Sequence, residues 1–105
     1  MVARVTHWEF EPSDERAEAV IRRNREEVMP AARGLQGLRA FYSLVDRSGG
    51  RALTVTIWES EDAEEASRET AMRLRSQTAD VTGIAVVASG FYEVAAEALG
   101  EARQA

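Results

Sequence analysis

The chain of 105 residues is 45% hydrophobic and 30% charged, with a formal net charge of −5; this is the composition of one globular domain, and arginines scattered among acids argue against nucleic acid as a partner. It has no cysteine, no lysine and a single histidine, His7, which excludes thiolate nucleophiles, iron–sulfur clusters, disulfides, cysteine-ligated zinc, Schiff-base chemistry and any two-histidine metal site within one chain. A domain this small buries only about two-thirds of the surface that its unfolded chain exposes, so a partner subunit would help to complete its core.

From Val2 to Phe10 the residues are rich in strand formers and predict a first strand. Glu11-Pro12-Ser13-Asp14-Glu15 then supplies a stop, a capping side chain and acids for a first helical turn. Ala17, Val20, Ile21, Val28 and Ala31 recur at helical spacing, predicting a helix from about Ser13 to Met29 that Pro30 ends or kinks. Gly37 to Asp46 and Arg51 to Glu59 flank Arg47-Ser48-Gly49-Gly50, the signature of a hairpin. Ser60 is placed to cap a second helix with the stripe Ala63, Ala66, Ser67, Thr70, Leu74 and Gln77, ending before Gly83. Ile84 to Val94 reads as a last strand. Residues 1–95 therefore form one domain, and the Ala- and Glu-rich residues 96–105 form a tail.

No apolar run approaches the roughly 18 residues that a membrane-spanning helix needs. Arg4, His7, Glu9 and Glu11 stand where a signal peptide needs an uncharged stretch, so a cytoplasmic location is expected, with no membrane partner. The absence of lysine beside many Ala, Arg, Glu and Gly suggests a GC-rich bacterial genome.

A βαββαβ chain of this kind is the ferredoxin-like α+β fold, a four-stranded antiparallel sheet whose right-handed crossovers put both helices on one face. The other face is left bare. Yet the last strand is apolar at both parities, with Ile84, Val86 and Tyr92 on one and Ala85, Val87 and Phe91 on the other, and the hairpin sets Leu53, Val55 and Ile57 opposite Trp58. The simplest cover for such a face is a second copy, giving a homodimer closed into an α+β barrel.

The element order, the Gly34–Gly37 segment entering the second strand and the junction Thr56-Ile57-Trp58-Glu59-Ser60-Glu61-Asp62-Ala63 resemble the antibiotic biosynthesis monooxygenase domains of the dimeric α+β barrel superfamily. That resemblance implies a cofactor-independent monooxygenase acting on a polycyclic or phenolic aromatic, with no cofactor and no metal. A non-catalytic ligand-binding or structural homodimer is the alternative. In the quinone-forming members the tryptophan matching Trp58 lies in a pocket between sheet and helices. An asparagine four residues before it and a tyrosine six residues after it also act there, and this chain has Thr54 and Glu64 at those positions. The haem-degrading members need a histidine on the second helix, which this chain lacks.

The candidate site follows from these residues. Trp58 is a donor to an oxyanion and His7 a base, the two catalytic candidates. Thr54 and Thr56 share the strand face of Trp58. Asn24 interrupts the apolar stripe of the first helix, and Ser67 and Thr70 put small hydroxyls at the centre of the second, so polar groups converge where a sealed core should be apolar. Tyr42 and Arg73 are candidates for the rim. Together these residues would bind a small aromatic ligand between the sheet and the helices.

Overall fold

The computed structural model describes residues 1–101. Four strands, β1 (Val2–Glu9), β2 (Leu38–Asp46), β3 (Arg51–Trp58) and β4 (Ala85–Glu93), form one sheet in the order β2-β3-β1-β4. Every neighbouring pair is antiparallel. Helix α1 (Asp14–Arg23) follows β1 and runs through a π turn, Asn24–Val28, into α2 (Met29–Arg33), while α3 (Glu61–Thr82) links β3 to β4. This is the expected ferredoxin-like α+β arrangement.

Local chemistry fixes both helix starts as the sequence implies. Ser13 Oγ accepts from the Arg16 N–H at 3.1 Å and Ser60 Oγ from the Ala63 N–H at 3.1 Å, each satisfying a donor that a helix start leaves free. Helix α3 stops at Gly83, whose φ of 70° lets its N–H close back on the Ala79 carbonyl.

Pro30 does not end the first helix. The inward residues Val20, Asn24, Val28 and Ala32 recur every fourth position, and in an ideal α-helix each such step overshoots a full turn by about 40°. The π turn absorbs that drift: the Met29 N–H bonds to the Asn24 carbonyl, a wider loop that also spares the α-helical bond that Pro30, lacking an N–H, cannot make. The inward face of α3 also differs from the expected stripe. Glu64, Ser67, Thr78 and Thr82 are buried, whereas Ala66 and Gln77 are exposed; a charged residue was the unexpected one to face inward.

Strand parity sorts the sheet into two faces. Arg4, Thr6 and Trp8 of β1 pair with Thr56, Thr54 and Ala52 of β3 on the helix-covered side. Trp8, Val20, Ala52 and Ile84 form the apolar core there, with Phe10, Val45 and Ala79 packed against it. On the open face Val5 pairs with Val55, and Tyr42 and Leu44 pair with Val55 and Leu53. In β4 the register slips between His7 and Trp8, which pair with Ala88 and Val86. This bulge leaves Val87 unpaired and puts Val86 and Tyr92 on opposite faces, not on one as simple alternation implies. Residues 96–101 are neither helix nor strand, and the rest of the expected tail, 102–105, lies outside the described residues.

Gly37 is required where β2 begins. Its φ is 84°, and a Cβ there would lie 2.4 Å from the Ala63 Cβ at the start of α3. Gly37→Ala should destabilise the protein by about 2 kcal/mol or more. Adding Ala63→Gly should recover the part due to the clash and not the part due to backbone strain, read by urea denaturation of the single and double variants.

Candidate functional site

Between the helices and the Arg4 half of the sheet, the core gives way to a cavity of about 60 Å³, several times the roughly 10–15 Å³ that one water requires. Its walls are apolar: Trp8, Trp58 and Phe41 from the strands, Val28 and Ala32 from the first helix, Leu74 and Ala71 from α3. Polar groups enter at defined points. Trp58 Nε1 donates to Thr56 Oγ1 at 3.0 Å, and Trp8 Nε1 donates to Thr54 Oγ1 at 3.0 Å. Each threonine oxygen is thus used as an acceptor, and its own hydroxyl proton is the donor left for the cavity. Asn24, at the start of the π turn, donates from Nδ2 to Ser43 Oγ at 2.8 Å, which leaves its amide oxygen as an acceptor for the cavity.

At the other end stands a charged cluster. Arg4, pointing inward from a central strand, donates from Nη2 to Glu64 Oε1 at 2.6 Å and to Ser67 Oγ at 2.9 Å. Arg68 bonds the second oxygen of Glu64 at 2.8 Å. The Arg4 guanidinium also lies over the Trp58 ring, 5.6 Å from its centroid, at cation–π range. Burial alone would raise the pKa of Glu64, but the hydrogen bonds from Arg68 and Arg4 outweigh it and hold the carboxyl below its ordinary value of 4.5. Arg75 lines the same cavity. Its guanidinium is pushed below the usual value by burial and by the charge of Arg4, with Glu64 opposing.

The structure brings some of the sequence-derived candidates together and separates others. Trp58, Thr54, Thr56 and Asn24 all line the cavity. Ser67 is buried beside them, held in the Arg4 cluster. Thr70 is half-buried outside the lining, and Arg73 is exposed on the outer side of α3. Tyr42 lies on the open face, 56% exposed.

His7 lies apart from the cavity. Because Arg4, Thr6 and Trp8 face the helices, alternation turns His7 to the open face beside Leu53 and Ala88, so His7 and Trp58 do not share a site. Trp58 is also placed differently from an oxyanion donor, since its N–H is given to Thr56 and the ring, 1% exposed, is a wall. Arg4, Glu64 and Trp8 were missed. The available signal was an arginine sharing strand parity with Thr6 and Trp8, since an inward cation demands a buried acid. Among the described residues no group of three His, Asp or Glu could hold a metal ion.

No family model matches this sequence. An uncharacterised protein of Mycobacterium tuberculosis is 39% identical over 59 residues, which is 56% of this chain and 26% of that protein; the match thus spans about a quarter of the relative's length. Among solved structures, the proposed antibiotic biosynthesis monooxygenase of Deinococcus radiodurans superposes with a TM-score of 0.70 at 18% identity, covering 98% of this chain and 100% of the other. A monooxygenase from ActVA-Orf6 of Streptomyces coelicolor, in complex with nanaomycin D, gives 0.69 at 12% identity, covering 95% and 92%. The chain has the fold of the antibiotic biosynthesis monooxygenase-like proteins.

The Arg4–Glu64 pair generates two expectations. Glu64→Leu, which strands a buried guanidinium, should cost about 3–5 kcal/mol, and adding Arg4→Met should recover most of it. Because the folded-state pKa of Glu64 is depressed, its contribution is fully present above the unfolded value of 4.5 and is lost as pH falls through the folded value. Melting temperature followed from pH 7 downward should begin to drop as pH falls below 4.5 in the wild type, and less steeply in the double variant.

Proposed function

We propose that this protein is a homodimeric, cofactor-independent monooxygenase that binds a planar phenolic aromatic partly in the cavity between sheet and helices and partly in the adjoining cleft of about 210 Å³ beside α3 and β4. The observation that carries this reading is the cavity itself, aromatic and aliphatic in its walls, with the Thr54 and Thr56 hydroxyls and the Asn24 amide entering it. The likeness of fold to a monooxygenase in complex with nanaomycin D supports it.

The chemistry asks little of the protein. An electron-rich phenol, once ionised, gives an electron to O₂, and the radical pair collapses to a carbon–oxygen bond. Loss of water then leaves a quinone. Phenol and O₂ become quinone and water, with all electrons supplied by the substrate. Arg4 and Arg75 at one end of the cavity favour the phenolate over the phenol, so ionisation does not depend on His7. Thr54 and Thr56 donate to the developing anion, and the apolar walls exclude bulk water.

A second reading, a non-catalytic carrier of the same ligand class, is favoured by one observation. Among the described residues the cavity lining holds no carboxylate or imidazole to act as a base. Oxygen uptake with a hydroxyanthrone separates the two. Uptake matched one-to-one by quinone supports the enzyme, a rise in melting temperature without uptake supports the carrier, and neither effect overturns both. Asn24→Leu should raise stability by filling the cavity while abolishing the ligand effect.

The homodimer is proposed from the open face, where Tyr42, Leu44 and Tyr92 are about half exposed around Val5, Leu53 and Val55. Val55→Asp should yield monomers or aggregates in sedimentation, because a carboxylate in a closed apolar interface has no partner. A wild-type protein monomeric at micromolar concentration would contradict this.

A further inference from the structure

We propose that the ligand of the cavity carries a permanent carboxylate and that the Arg75 guanidinium receives it. The inference rests on reading the cavity as an aromatic-binding site, and it specifies the class of aromatic.

Arg75 stands at a boundary. It lines the inner cavity and also a second cleft of about 210 Å³ beside α3 and β4, whose lining includes Arg4, Arg68, Ser89 and Phe91. Its Nη1 donates to Ser89 Oγ at 2.9 Å, a neutral acceptor. Among the described residues no carboxylate pairs with it, and Glu64, the one acid that lines the cleft, is already shared between Arg4 and Arg68. The cleft lining thus sets three guanidiniums against a single carboxylate.

Other arginines of the chain are used by the fold: Arg16 bonds the Thr82 carbonyl at 2.7 Å, and Arg47 and Arg51 pair with Glu18 and Asp46. Arg75 has the Ser89 hydroxyl as its partner and, among the described residues, no carboxylate or carbonyl. A partly buried cation beside another cation is a position that an incoming anion stabilises. The planar fork of a guanidinium suits the two oxygens of a carboxylate. The depressed pKa of Arg75, caused by burial and by Arg4, is consistent with a cation short of a counter-charge. Phe91, already stacked against Arg68 at 5.9 Å, offers an apolar wall on the cleft side for the part of the ring system that the inner cavity does not hold.

A matched pair of probes tests this, naphthoate and naphthylmethanol, which share the ring and differ in the charge. Titration calorimetry at pH 7 and low salt should show the wild type binding naphthoate about tenfold more tightly than the alcohol, the worth of one charge-assisted contact. Arg75→Met should erase that preference by bringing the affinity for naphthoate down to that for the alcohol, while Arg75→Lys should keep part of it. Equal affinities in the wild type, or a preference that survives Arg75→Met, would overturn the carboxylate subsite and leave the cavity standing. Failure of the wild type to bind either probe would overturn the cavity reading and this proposal with it. If Arg75→Met does not fold, Arg75→Gln and the wild-type comparison between the two probes still decide the question.

Discussion

A guanidinium that points inward from a central strand dictates much of this structure. Arg4 sits in the middle of the sheet, under the helices, where an uncompensated charge would not be tolerated. Glu64 therefore faces inward on α3, Ser67 is drawn in beside it, and Trp58 lies flat beneath the cation. The apolar core is confined to the Trp8 end as a result. Cavity, charge and hydroxyls are found together because one half of this sheet face was never available for hydrocarbon packing.

The elements were legible in the sequence because their signals are local. Ser13 and Ser60 cap helices, Gly83 ends one, and Arg47–Gly50 turns a hairpin. Asn24 was legible too, as a polar interruption in an apolar stripe. Its neighbourhood was not, since holding Asn24, Val28 and Ala32 on one face requires a π turn, and no simple helical period anticipates one.

The polar side of the site was harder to read. Which face of β1 carries His7 depends on the pairing of strands distant in sequence, and a shift of one residue exchanges every side chain between core and surface. Glu64 was visible only as a change from the tyrosine that the resemblance implies. Its partner lies 60 positions away, beyond any local pattern. The bulge at Val87 similarly reverses the parity of the last strand without leaving a glycine or proline to mark it.

The π turn also bears on how such a site could come and go. Its i→i+5 bond from Met29 to Asn24 accommodates one residue more than an α-helical turn would hold, so the helix can be regarded as a regular one carrying a single-residue insertion. Deleting one residue from this stretch would restore a continuous α-helix and let both ends of the helix keep their places, while removing the widened turn that joins Asn24 to Met29. A change of one codon in length, with the remaining strands and caps untouched, is thus enough to reshape one wall of the cavity while its frame stays in place.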